Sequence, residues 1–523
     1  MSRLFISATR KSSGKTTVAL GICAALSVRG LKVQAFKKGP DYIDPMWLSR
    51  SSGRPCINLD FNTMSPDELL ETLSRYQSSA DLSIIEGNKG LYDGVDTFGA
   101  DSNAALCKLT GTPVVLVVDA EGSTRGVAPL VLGYQQFDLD IIITGVIFNK
   151  TGGHRHETKL RRVMEHYTDV QVLGCVPKSA DISMSERHLG LITDREVDTA
   201  GQYVERIREV VEQCINVDLL TEIAAPVIQS EAHQDASSSL GVAAKRNKSR
   251  DPIRIGVARD RAFCFYYHDD LEVMENSGAE IQYFDTLNDK VLPDVDALFI
   301  GGGFPETHCE ELEGNLEMRQ AIKAFAAQGK LIYAECGGLM YLTRQINWQG
   351  KTSAMVGLIP ADTQMCDRPV GRGYVQLVCE RKHPWGRKAG PTGVKSLKSS
   401  GTSRPSEVAH GKKPVYGDEI RAHEFHYSRL NNIDDGVEYA YRVQRGHGID
   451  GVRDGLVVGS VLANYAHMRH SEENPWVSHF MSAIRKNKSH ANAEKNIEKN
   501  VKKQDGFVKQ NKPGESHGLT RIG

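Results

Sequence analysis

The stretch Arg3-Leu4-Phe5-Ile6-Ser7-Ala8-Thr9-Arg10-Lys11-Ser12-Ser13-Gly14-Lys15-Thr16-Thr17, backed by a helical run over Val18 to Arg29, decides the fold of the first half of the chain. An apolar strand, a short polar loop and a helix, in that order, make the setting of a phosphate-binding loop. Amides at the helix start and the flexible Gly14 can wrap phosphate oxygens. Lys15 supplies a point charge toward the outer phosphates, and the Thr16 hydroxyl can hold magnesium. Ser13, Gly14, Lys15, Thr16 and Thr17 are therefore the expected nucleotide contacts. Thr9 stands where the usual pattern opens on glycine.

Further along, apolar runs alternate with helical patterns: Lys32 to Phe36, Leu82 to Ile85, Val114 to Val118, Ile141 to Phe148 and Val170 to Gly174. Runs this apolar suit a parallel sheet covered by helices on both faces, which predicts one α/β domain over residues 1–221. Two acidic loops follow its strands. Asp41 lies in Lys38-Gly39-Pro40-Asp41-Tyr42-Ile43-Asp44-Pro45, and Glu86 in Glu86-Gly87-Asn88-Lys89-Gly90-Leu91-Tyr92-Asp93-Gly94. Ligands gather at the carboxyl ends of parallel strands, so both loops should converge on the phosphate loop and offer oxygen ligands to magnesium.

Residues 222–252 turn polar, small and basic, and read as a linker. A second doubly wound α/β pattern occupies 253–485, with strands at Ile253 to Ala258, Ala297 to Ile300 and Lys330 to Ala334. The last of these runs into Glu335-Cys336-Gly337-Gly338 and an apolar helical start. A thiol on such a strand-to-helix turn is exposed at the top of the sheet, and the helix N-terminus favours its thiolate. Ile300-Gly301-Gly302-Gly303-Phe304-Pro305-Glu306 follows another strand and can offer backbone amides to an oxyanion, so Gly302, Gly303 and Gly337 are the expected donors. The general base has to come from elsewhere; His467 is the first candidate, with His470, His423 and His426 as competitors. Residues 383–414 and the tail from 486 are rich in Lys, Ser, Gly and Asn and are expected to lack stable structure.

With 523 residues, a net charge of -1 and 40% hydrophobic residues, the composition is that of a two-domain enzyme, without a global reason to bind nucleic acid or a membrane. The 10 cysteines are scattered singly, as in a reducing cytoplasm, and neither export nor membrane insertion is expected.

Taken together, Ser13 to Thr17, the Lys38–Pro45 and Glu86–Gly94 loops, Gly301 to Glu306, Glu335 to Leu342 and His423-Glu424-Phe425-His426-Tyr427-Ser428 resemble the cobyrinate a,c-diamide synthase family, in order and across both domains. The resemblance implies a dethiobiotin-synthetase-like, P-loop NTPase-like domain joined to a class I glutamine amidotransferase domain. It implies ATP and Mg2+, glutamine as ammonia source, and a tetrapyrrole whose acetate side chains are phosphorylated and then amidated. By matching position, Cys336 is the nucleophile and His467 its base. Thr16, Asp41 and Glu86 lie around magnesium; Tyr42, Asp44 and Asp93 lie near the carboxylate substrate. Asn88-Lys89 leaves sirohaem or a metal sirohydrochlorin open as acceptor, a non-catalytic P-loop partitioning protein is the third reading, and an oligomer is compatible with all of them.

Overall fold

The computed structural model describes residues 2–179, 200–226, 252–380 and 419–490, with short pieces at 186–187, 190–191, 193–195, 383–385 and 493. The first domain is built on strands β1 (Ser2–Ala8), β2 (Val33–Lys38), β3 (Ile57–Leu59), β4 (Leu82–Glu86), β5 (Val114–Asp119), β6 (Ile143–Thr151) and β7 (Gln171–Pro177). They form a parallel sheet in the order β3-β2-β4-β1-β5-β6-β7. The order reverses direction around β1, so the loops after β1, β2 and β4 open on one switch-point crevice. Alternation along β1 shows why its sequence is apolar throughout: Leu4, Ile6 and Ala8 enter one buried cluster and Phe5 the other.

Helix α1 (Lys15–Val28) starts at Lys15, three residues before the expected Val18, because Gly14 takes a left-handed φ of 84° and serves as N-cap. A Cβ on Gly14 would lie 1.9 Å from Asn149 Nδ2, so both conformation and space require glycine there. The domain also runs a little past its expected end at 221, since Ala225–Pro226 pairs antiparallel with the start of β1. The rest of the expected linker lies outside the described residues.

In the second domain the strands Ala279–Phe284, Ile253–Ala258, Ala297–Ile300, Leu331–Glu335 and Val461–Asn464 are parallel neighbours, as a doubly wound pattern requires. Beyond them the sheet continues antiparallel through Arg453–Val458, Glu438–Arg445, Gly371–Cys379 and Glu419–His426. This half was not read from the sequence. Along Gly371–Cys379 burial alternates weakly, with Val375, Leu377 and Cys379 inside and the residues between them partly exposed, as one-sided antiparallel strands do.

Two boundaries move. His383 and Trp385, expected to open an unstructured insertion, are buried; Trp385 packs on Tyr333, Trp476 and Phe480. The helix over 476–490 passes the expected tail start at 486, with Asn487 donating to the Gly329 carbonyl (2.9 Å) and Lys488 paired with Asp296 (3.2 Å). Apolar contacts and backbone partners decide these ends, and composition alone does not register them.

The two domains share one core. Cys264, Phe265, Tyr267 and Phe304 of the second domain belong to the buried cluster of the first. Polar ties surround it: Tyr374 OH donates to Asp60 (2.8 Å), Asn62 Nδ2 to the Ala422 carbonyl (3.2 Å), and the Glu472 amide to Glu68 (3.1 Å). Arg469, fully buried, donates to the Asn58 carbonyl (2.8 Å) and pairs with Asp269 (2.5 Å).

Candidate functional site

The phosphate loop is shaped by the ends of neighbouring strands. Ser13 Oγ donates to the Arg10 carbonyl (2.9 Å), Asn149 Nδ2 to the Ser13 carbonyl (2.8 Å) and Lys150 Nζ to the Ser12 carbonyl (2.9 Å), with Ser12 itself at a positive φ of 63°. These bonds occupy carbonyls and leave a concave turn of amides, the geometry of an anion nest. Lys15 and Thr16 then project from the first turn of α1 onto Glu86: Lys15 Nζ lies 3.1 Å from Oε1 and the Thr16 hydroxyl donates to the same atom at 2.6 Å.

Around this pair the structure gathers three carboxylates and a second lysine. Lys37, at the end of β2 and buried, contacts Asp44, lies 3.2 Å from Glu86 Oε2 and 3.7 Å from Asp41. Burial opposes its charge, but the three carboxylates outweigh it and raise the Lys37 pKa. Sequence reading missed Lys37, which looked like an ordinary charge at a strand end. Asp44 also accepts from Thr16 (3.2 Å), which puts it beside the hydroxyl where Asp41 was expected. Asp41 instead accepts the Ile43 and Asp44 amides (3.0 and 3.1 Å) at the start of helix α2 (Ile43–Ser52), with only its other oxygen facing Lys37. Burial and the neighbouring Asp44 charge push Asp41 up to about 7, against the pull of Lys37. Asp44 feels the same burial, but Lys37 and Lys15 hold it below the usual carboxylate range. Asp93 turns back on its own loop, accepting the Gly90 amide at 3.1 Å. Asn88 and Lys89 likewise bond within that loop and to Asn103.

Among the described residues no three His, Cys, Asp or Glu form a complete metal-binding group on their own. Magnesium at a nucleotide does not need one: it uses one or two carboxylates, phosphate oxygens and water. The hard oxygens of Thr16, Asp44 and Glu86 fit that role, and buried Glu86 Oε2 makes no hydrogen bond, with the Lys37 ammonium 3.2 Å away as its ionic partner.

The second centre lies at the carboxyl end of Leu331–Glu335. Cys336 sits at φ 46° and ψ -100°, a conformation costly for any residue with a Cβ, and caps the helix Gly337–Leu342. Its amide donates to the Asn464 carbonyl (2.7 Å) across the neighbouring strand. Packing beneath the elbow demands glycine: a Cβ on Gly338 would lie 2.1 Å from the Ile300 carbonyl oxygen. Gly302 and Gly303 form a two-residue strand against Phe263–Phe265. A Cβ on Gly337 would sit 3.0 Å from the Gly303 amide nitrogen, so the expected oxyanion donors do share one corner with the thiol.

His467 is the histidine that reaches Cys336. Its ring hydrogen-bonds the Cys336 thiol, and its Nδ1 lies 3.6 Å from Glu335 Oε2. Glu335, buried and unassigned by the sequence reading, is fixed by the Tyr333 hydroxyl (2.6 Å) and the Met468 amide (2.9 Å). Thiol, imidazole and carboxylate thus stand in the geometric order of a nucleophile, a base and an orienting acid. Burial pulls the His467 pKa down, but the adjacent Cys336 and Glu335 charges hold it up at about 10. The competitors face elsewhere. His423 stacks on His467 (4.8 Å, 14°) and is kept neutral by burial and by the charges of His467 and Arg469. His426 stacks on Tyr465 (3.8 Å), and burial pushes His470 down to about 4.

A prediction follows from the sign of the His467 shift. Because its folded value lies above the ordinary 6.5, its contribution to stability is complete below about 6.5 and is lost as pH rises through about 10. The His467 ring signals in an NMR titration should move with an apparent pKa far above 6.5, and Cys336→Ala should bring it down by removing the first of the charges that hold it up.

Comparison with known proteins places both domains in one family. Residues 4–192 match the CobQ/CobB/MinD/ParA nucleotide binding domain, and residues 254–475 the CobB/CobQ-like glutamine amidotransferase domain. The cobyrinate a,c-diamide synthase of Magnetococcus marinus is 42% identical over 480 residues, covering 92% of this chain and 96% of the relative. The chain belongs to the cobyrinate a,c-diamide synthase family. Cobyrinate a,c-diamide synthases of Methanosarcina acetivorans (40% identical over 491 residues, 89% of this chain and 92% of the relative) and Archaeoglobus fulgidus (37% over 489 residues, 93% and 98%) support the same membership. As a member of that family the chain is a glutamine-dependent amidating ligase with a nucleotide-binding half. Among the described residues no helix is long and apolar enough to cross a membrane.

Proposed function

We propose that the protein amidates the a- and c-acetate side chains of cobyrinate, using ATP and glutamine. The observation that carries this reading is the joining, in a chain matched over nine-tenths of its length by cobyrinate a,c-diamide synthases, of a Cys336–His467–Glu335 centre to a Lys15–Thr16–Glu86 phosphate loop. No observation favours sirohaem over cobyrinate: the Asn88-Lys89 loop is held by its own bonds.

At the second centre, the Cys336 thiolate attacks the glutamine carboxamide carbon, and amides of Gly303 and Gly337, with Gly302 beside them, stabilise the oxyanion. The His467 imidazolium gives its proton to the departing ammonia, and the resulting thioester is hydrolysed to glutamate, returning the thiolate. At the first centre, the amides of Ser13 to Thr17 and the Lys15 ammonium bind the phosphates, and a substrate carboxylate attacks the γ-phosphorus, releasing ADP. Thr16, Asp44 and Glu86, with Asp41 at the flank, would hold magnesium, which when bound would supply charge neutralisation for the transferred phosphoryl group. Ammonia then displaces phosphate from the acyl phosphate to give the amide. Lys37 fixes the carboxylates in one arrangement, and Asp93 shapes the loop that borders the acceptor.

The acyl phosphate makes a specific demand. When the substrate carboxylate carries 18O, one labelled oxygen should appear in inorganic phosphate for each amide formed. Phosphate free of label would rule this route out.

A further inference from the structure

Asp41, Tyr42 and Asp44 occupy one loop, yet they serve different centres. Asp44 and Asp41 surround Lys37 and Thr16 at the phosphate site. The Tyr42 ring, only 8% exposed, lies among rings of the other domain: parallel to Phe265 (5.2 Å, 4°), tilted on Tyr267 (4.8 Å), on His423 (5.6 Å) and on His467 itself (5.2 Å, 46°). Its hydroxyl bonds to Tyr267, whose own hydroxyl lies 3.3 Å from His423 Nδ1. His423 in turn stacks on His467 and exchanges backbone hydrogen bonds with it (3.4 and 2.7 Å). The resemblance implies that Tyr42 lies near the carboxylate substrate; its ring also packs against the imidazole of His467.

We propose that Tyr42 is a positioning residue that couples the two centres: occupation of the Asp41–Asp44 loop by nucleotide and acceptor sets the placement of the His467 ring, so that ammonia is released when an acyl phosphate can receive it. The inference rests on the two-centre reading above. Its physical basis is that close-packed rings cannot absorb a displacement independently, so a shift of the loop backbone at Tyr42 is passed to the imidazole stacked on it. The His467–Cys336 geometry responds to such a shift, because nucleophile activation depends on a hydrogen bond with a narrow distance range. Coupling of this kind usually spans about 5- to 150-fold in the affected equilibrium.

The test is the rate of glutamate release from glutamine with and without ATP, magnesium and cobyrinate, expressed as a ratio, for the full chain and for Tyr42→Phe, Tyr42→Ala and Phe265→Leu. The unsubstituted protein and Tyr42→Phe, which keeps the ring, should show a ratio well above one. Tyr42→Ala should bring it close to one and form more than one glutamate per amide. Phe265→Leu disturbs the same stack from the other domain and should lower the ratio as well, which keeps the proposal testable if Tyr42→Ala does not fold. A wild-type ratio of one, or a wild-type ratio retained in Tyr42→Ala, would overturn the coupling. If the unsubstituted protein forms no amide at all, the two-centre reading fails instead.

Discussion

Cys336→Ala should abolish glutamine-dependent amidation, by a thousandfold or more on the order-of-magnitude scale of nucleophile loss, and leave amidation supported by ammonium chloride in place. The thiol is the only atom of the Cys336–His467–Glu335 group able to form the thioester, and neither neighbour can substitute for it. The first centre uses none of these atoms: its lysines, Thr16 and carboxylates are supplied by β1, β2, β4 and the loops after them. Added ammonia therefore bypasses the lesion. Measuring amide formation at saturating glutamine and at saturating ammonium separates the two, and an alanine variant that still uses glutamine would show that another residue is the nucleophile.

Glu86→Gln should have the opposite signature. Glu86 is fully buried and holds Lys15, Thr16 and Lys37 at once (3.1, 2.6 and 3.2 Å). Replacing its charge leaves two ammonium groups with less compensation and weakens an oxygen ligand proposed for magnesium. Loss of one partner from a buried ionic group costs about 3–5 kcal/mol in typical cases, and removal of a preorganised electrostatic contact costs about 10²–10³ in rate. Both amidation activities should fall together, whether ammonia or glutamine is the donor, while glutamate release without ATP persists. A variant with near-normal ammonia-supported amidation would remove Glu86 from the phosphate site. Thermal unfolding followed alongside separates the stability loss from the catalytic one.

Much of this was legible because the responsible residues are local. The phosphate loop and the cysteine elbow each consist of a strand, a turn and a helix start in consecutive residues, so their chemistry follows from the order of residue types. His467 was also readable, at the end of a strand that borders the elbow. Lys37 and Glu335 were not singled out, because each acquires its role from residues distant in sequence or from a side-chain direction. Lys37 matters through Asp44 and Glu86, and Glu335 through Nδ1 of His467, 132 positions away by number. Asp41 and Asp44 show the finer limit: two carboxylates three residues apart in one loop, of which the helix cap takes Asp41 and the hydroxyl of Thr16 takes Asp44. Tyr42 exceeded any local reading, since its partners Phe265, Tyr267, His423 and His467 all lie in the other domain.

The most direct measurement of the central claim is the mass of the product formed from cobyrinate with ATP, magnesium and glutamine labelled with 15N in its amide group. Two labelled amides per cobyrinate, dependent on ATP and on Cys336, are predicted. Unchanged cobyrinate under conditions where sirohaem gains labelled amides would contradict it.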